Sequence, residues 1–320
     1  ARFGTAPTFS SMTAGSVLFA GTGGLLSQNN ANLFWDNVNN NLQALRINSV
    51  RNAAYFPGAD AGAKIAAAIA DLPSTGGTVD NRGLEGPQTA ASTITIDKAV
   101  TLLLGAGNLT LAGNPGINAT ADGAEILGLG QRASVIAYSG TGTAIKFKRT
   151  TAVTIVVPAI RNLLIDGTGN NNPGKKGLAV VDAEEMAITD LEVINWTDTS
   201  TRTSIGVEIA GRQTFDVSRV TSVADIPFNI VLDPNVASIT LDHANFNDIY
   251  TIAHSTQPNW KIADGAILSN VSWGGYQAWV NGTYGIYWNS TSDAIISNSI
   301  SIANCRWEQS TNANGYILHL

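Results

Sequence analysis

Hydrolysis of a glycosidic bond takes two carboxyl groups, one as acid and the other as base or nucleophile. They stand about 5–5.5 Å apart for retention and about 6.5–9.5 Å apart for inversion. The densest acidic stretch of this 320-residue chain is Asp182, Glu184, Glu185, Asp190 and Glu192, followed by Glu208, Asp216, Asp225 and Asp233. On strands stacked about 4.8 Å apart, matching or diagonal positions would meet either separation. Asp182, Glu185, Glu208 and Asp233 are therefore the catalytic candidates. Against them stands a plain reading: the chain has 24 acidic residues, and the outer surface of any stacked-strand fold must be polar. A lyase would need a base and a cation such as Ca²⁺ held by several carboxylate oxygens. Arg202, Arg212 and Arg219 lie near the acidic stretch, but no Asp cluster has calcium-ligand spacing, so hydrolysis ranks above elimination and no metal is expected.

Aromatic residues point to sugar in a different way. Five of the seven Trp fall between 260 and 307 (Trp260, Trp273, Trp279, Trp288 and Trp307), interleaved with Tyr250, Tyr276, Tyr284 and Tyr287. Sugar rings stack their C–H faces on such side chains, and an aromatic loop on a stiff scaffold makes a binding site. Trp273 and Trp307 share pattern positions with Phe246 and Val193 and read as core. Tyr276, Trp279, Tyr284 and Trp288 are the substrate-binding candidates, with a subunit interface as the rival use.

Other features carry less. His243, His254 and His319 match no zinc spacing. Cys305 falls at an apolar position of the pattern described below. GTGG (21–24) and GLG (128–130) lack the strand-to-helix setting of a phosphate loop, and no cofactor is expected. Lys175-Lys176 reads as a loop pair too small for an anion patch. The net charge of −6 argues against a nucleic-acid partner, and no run of 18 apolar residues provides a membrane span.

The elements that must position these groups are short strands. Six segments share the order apolar, any, polar, apolar, any, apolar: IRNLLI (160), ITDLEV (188), VSRVTS (217), LDHANF (241), LSNVSW (268) and IANCRW (302). Their starts are separated by 28, 29, 24, 27 and 34 residues. A drifting period of that size is what the stacked coils of a solenoid produce. The third position holds Asn162, Asp190, Arg219, His243, Asn270 and Asn304. Half of these are Asn, which tolerates the left-handed backbone of a sharp bend. Ser222 departs from the pattern, standing where the other segments are apolar. The longest separation places an inserted loop, GGYQAWVNGTYG (274–285), in the aromatic region. Charged residues are only 13% of the chain and Gly is 32 of 320, a composition suited to many turns and neutral outer strands. The fold expected is all-β: a right-handed parallel β-helix.

Residues 1–57 differ, reading as short strands and Asn-rich turns with too few apolar residues for an independent core. Such a module is better stabilised when three copies wrap together. Pro57-Gly58 marks the boundary, and 58–320 form the β-helix domain. Within it, residues 60–72 form a helix capped by Asp60 and stopped by Pro73. Its apolar face of Ile65, Ala68, Ile69 and Leu72 suits a plug over the open end of the solenoid. The sequence closes at Leu320 inside an apparent strand, GYILHL, as a trimmed chain would.

Residues 60–169 resemble the pectate-lyase-like β-helix superfamily, particularly bacteriophage tailspikes and tail fibres. The resemblance rests on DAGAKIAAAIADLPSTGGTVDNRG, then STITIDKAVTLLLGAGNLTL, then IRNLLIDGTGNNNPG. The N-terminal GSVLFAG…LSQNNANLFWDNVNNNL also looks like modules upstream of phage tail-fibre domains. The resemblance implies a virion-associated homotrimer that recognises a host surface polysaccharide, with residues 1–57 attaching it to other tail or baseplate proteins. The superfamily also includes hydrolases, lyases and inert fibres. A depolymerase of capsule or lipopolysaccharide and a purely structural or adhesive fibre therefore remain alternatives. Asp166, in the IDGTG motif, is expected to bond turn amides.

Overall fold

A computed structural model describes residues 18–20, 26–28, 33–36, 41–44, 46–47, 49–84, 86–148, 155–167, 174–210, 213–232, 240–254, 256–264, 266–280, 284–288, 299–309 and 316–319. The chain forms a parallel β-helix. Each coil contributes two wall segments to an eighteen-stranded sheet and one to a nine-stranded sheet. The strands of the second sheet run Ile94–Ile96, Ile117–Ala119, Thr143–Phe147, Lys176–Val181, Ile205–Ala210, Ile226–Val231, Trp260–Ile262, Tyr284–Trp288 and Tyr316–His319. The eight pairings that join these nine strands are all parallel.

The helix Ala61–Asp71 closes the first coil, as its apolar face requires. Asp60 accepts the Ala63 amide at 2.7 Å and, with its other oxygen, the Ala91 amide at 2.9 Å. One side chain therefore caps the helix and ties it to a coil thirty-one residues away. At the other end Lys98 Nζ donates to the carbonyls of Ile69, Ala70 and Leu72 at 2.8–3.1 Å, supplying the last turn with a cation. Arg51 Nε meets Asp71 Oδ2 at 2.6 Å. Arg51 lies in Val50–Asn52, which pairs in parallel with Gly77–Asp80, so the solenoid begins several residues before Pro57. After the helix, Gly76 takes φ +89° against the Ala99 carbonyl, where a Cβ would stand 1.9 Å from the oxygen. Only glycine fits that turn. Upstream, Leu18–Ala20 pairs antiparallel with Leu26–Gln28, and Leu33–Asp36 with Asn41–Ala44.

The wall turns at two left-handed bends, not one. The first column of bends is Val157, Glu185, Thr214, His243 and Asn270; the second is Asn162, Asp190, Arg219, Asp248, Gly275 and Asn304. All have φ between +50° and +63°, and in each shared coil the two bends are five residues apart. The six-residue pattern fits around either bend. The segments at 241 and 268 align on the first column, whereas the other four align on the second. Along the second column the repeat is 28, 29, 29, 27 and 29 residues, so the separations of 24 and 34 came from crossing between columns. The expected insertion at 274–285 is thereby corrected over its described residues: Gln277–Val280 and Tyr284–Trp288 are strands in the wall of their coil, and 281–283 lie outside the described residues.

Inside, Ile160, Ile188, Val217, Phe246 and Trp273 stack in register. Ser222 does point inward, between Val193 and Thr251, and its hydroxyl donates to the Pro227 carbonyl at 2.9 Å. The missing Cβ of Gly206 leaves room for it, since one would meet Ser222 Oγ at 2.2 Å. The aromatic enrichment is largely core. Phe228 and Trp260 stack at 4.2 Å, Phe246 and Trp273 at 5.7 Å, and Trp260 meets Tyr276 edge-on at 6.0 Å.

Candidate site on the outer face of the second sheet

Alternation along a strand sends every second side chain outward, and parallel register aligns these side chains from coil to coil. On the second sheet this builds one outward row: Lys146, Ala179, Glu208, Asn229, Lys261 and Tyr287. Lys176, at the head of its strand, reaches across the sheet to an ion pair with Glu208 Oε1. Asn229 Nδ2 donates to the other oxygen, Oε2, at 3.1 Å. Each oxygen of Glu208 thus has a partner, and Glu208 and Asn229 are 7% and 8% exposed. Lys146 and Tyr287 are half-buried and Lys261 is exposed, so these are the groups a ligand can reach. Burial depresses the Lys146 pKa, aided by the nearby ammoniums of Lys148 and Lys176, while Glu208 opposes this. Tyr284 lies against Tyr287, ring centres 4.9 Å apart, extending the row with an aromatic pair.

The four acidic candidates do not converge. Asp182 sits at the corner between the strands Lys176–Val181 and Ala183–Trp196, with φ +53° and 7% exposure. Its amide and carbonyl belong to the coil ladder, bonded to Ala210 O and Ile155 N. Glu185 occupies the first bend column of the other sheet, exposed to solvent. Glu208 is neutralised on the second sheet, and Asp233 lies outside the described residues. Among the described residues the acid whose pKa is raised is Asp225, shifted by burial and fully enclosed; its Oδ2 accepts the amides of Asp198 (2.8 Å) and Ser204 (3.2 Å). Asp190 forms an exposed two-bond pair with Arg219, at 2.6 and 2.7 Å. Asp166 accepts from the Asn195 side-chain amide at 3.0 Å, a partner one coil away; the turn whose amides it was expected to bond lies outside the described residues.

The aromatic candidates also separate. Tyr276 is fully buried and Trp288 is 4% exposed, so both are corrected from the surface to the core. The Tyr276 hydroxyl lies 2.8 Å from Thr251 Oγ1, and burial raises its pKa far above the usual phenol. Tyr284 is half-buried beside Tyr287. Trp279 lies in Gln277–Val280, its side chain outside what is described. Sequence reasoning missed Lys146, Asn229 and Lys261, and it set aside Lys175-Lys176 as an isolated pair. The available signal was KFK (146–148) lying one coil length before KK (175–176). Among the described residues, no three His, Cys, Asp or Glu side chains gather as a metal site, and no helix is long and apolar enough to cross a membrane.

No protein-family model matches the chain, and no curated protein sequence does. Among solved structures it is similar to ORF18 of Geobacillus virus E2, at 13% identity and TM-score 0.40, over 87% of this chain and 55% of that one. It is similar to the endo-xylogalacturonan hydrolase of Aspergillus tubingensis at 12% identity and TM-score 0.41, over 81% and 92% of the two chains. The A-module of the mannuronan C-5 epimerase AlgE6 of Azotobacter vinelandii follows at 12% identity and TM-score 0.23, over 83% and 97%. The chain spans about half the length of the viral protein. These likenesses concern the course of the backbone, which is that of a parallel β-helix.

Proposed function

We propose that this chain is a virion-associated fibre protein whose β-helix recognises a host surface polysaccharide through the outer face of the second sheet. The observation that carries the reading is the outward row ending in Asn229, Lys261 and Tyr287. It offers an ammonium and an aromatic ring at coil spacing on a stiff scaffold, with Asn229 beneath them bound to Glu208. Extended glycans present hydroxyls and apolar ring faces at comparable intervals, and a rigid row binds them without a large ordering cost. The tailspike-like residues at 60–169 support the virion setting. In the same reading residues 1–57 attach the fibre to the particle and the working unit is a homotrimer.

The test is incubation of the purified chain with a panel of bacterial surface polysaccharides, following binding, viscosity and reducing-end release together. Binding without release, weakened by Tyr287→Ala at unchanged melting temperature, is the expected result. Release of reducing ends would convert the reading to a depolymerase, with the acidic corner at Asp182 and Glu185 the first place to mutate. No binding to any polymer would leave a structural fibre and overturn the proposal.

A further inference from the structure

The fold sorts charge between its two sheets. Strands of the first sheet carry eleven of the 24 acidic residues against five arginines and no lysine. Strands of the second carry Lys146, Lys176 and Lys261 against the single carboxylate Glu208. Lys148 and Lys175 each lie one residue outside these strands, so five of the chain's seven lysines belong to this sheet or its edge. A protein of net charge −6 has thus concentrated ammonium groups on one wall.

Resting on the glycan-recognition reading above, we infer that the ligand of this face is an acidic polysaccharide, its carboxylates taken by Lys146, Lys148 and Lys261. Three observations support the assignment. Glu208 is spent on Lys176 and Asn229, and among the described residues Lys146, Lys148 and Lys261 form no ion pair. Lys146 also lies in the field of two other ammoniums, a repulsion that a bound anion would relieve. In addition, the row follows the stacking axis. From Lys146 to Lys261 it crosses four coil steps, roughly 19 Å at the usual strand spacing, the geometry of a linear polymer and not of a small anion. The Tyr284–Tyr287 pair at its far end suits a sugar ring and gives a phosphate chain nothing.

The experiment measures binding of the whole chain to polygalacturonate, to dextran of equal length and to polyphosphate, at low and moderate salt. Polygalacturonate should bind, more weakly as salt rises, while dextran and polyphosphate should not compete. K146Q/K261Q should weaken binding roughly tenfold, the order expected for two surface charge pairs, with K146R/K261R restoring it. Both side chains are at least partly exposed, so the melting temperature should hold; D216N on the first sheet should leave binding unchanged. Binding indifferent to K146Q/K261Q would overturn the inference. Polyphosphate binding as tight as polygalacturonate would also overturn it, exposing a general polyanion surface. A chain that binds a neutral surface polysaccharide but not polygalacturonate would sink this inference alone, and one that binds no glycan would sink the function proposal too.

Discussion

Removing the Asp60 carboxylate should unfasten the capping helix without unfolding the solenoid. Its two bonds are of different kinds. The one to Ala63 is an N-cap, whose loss costs about 1 kcal/mol, and the one to Ala91 is a further charge-assisted bond of about 1 kcal/mol. Asp60→Ala should therefore favour local opening by about 2 kcal/mol, or about 30-fold. Coils contact only their neighbours, so the effect should be confined to residues 61–72 and the first coil. Tryptophan fluorescence would miss it, because the described tryptophans of the solenoid begin at Trp196; hydrogen exchange by fragment would not. Asp60→Asn keeps the cap but loses the second acceptor, and should show about half the free-energy effect. The Ala91 amide first, then the Ala63 amide, hold the Asp60 carboxyl below the usual carboxylate range. Its contribution is therefore complete above about pH 4 and disappears as pH falls through the depressed folded value. Unchanged protection at 61–72 in Asp60→Ala, or a loss spread evenly over all coils, would refute the reasoning.

Three further outcomes are expected. Thr214 holds φ +56° at a bend where the neighbouring column already uses Gly275. Thr214→Gly should relieve about 1–2 kcal/mol of left-handed strain against about 0.5–1 kcal/mol of added chain entropy, raising the denaturation midpoint slightly. Asp225 is pushed up by burial, so the folded state binds its proton more tightly and stability falls as pH rises from the ordinary carboxylate range through the raised value. Comparing wild type with Asp225→Asn across pH 4–7 should show that slope in wild type and its loss in the variant. Trp260 is fully buried on Phe228. Trp260→Ala should cost about 3–5 kcal/mol in urea denaturation, whereas Tyr287→Ala, on the outer face, should cost under about 0.5 kcal/mol.

The solenoid repeat, the helix with its Asp60 cap and the Gly-Gly turn were legible in the sequence because each depends on neighbours within a few residues. Inward placement of Trp273 and Trp307 followed from the same periodicity. The choice between the two bend columns did not, because both bends demand a left-handed residue between alternating apolar positions, and five residues of sequence cannot tell them apart. That ambiguity moved the wall strand Gln277–Val280 into a loop and brought Tyr276 and Trp288 to the surface. Only stacking in register, residue against residue one coil away, selects the column. The lysine face was hidden for a related reason. Lys146, Lys176 and Lys261 are scattered over more than a hundred residues, and Glu208 looked like a candidate acid beside Asp182 and Glu185. The tertiary fold put Glu208 on a different sheet from Glu185 and gave it to Lys176. Local residue chemistry determined that coils form and where they bend; the alignment between coils decided which side chains share a surface.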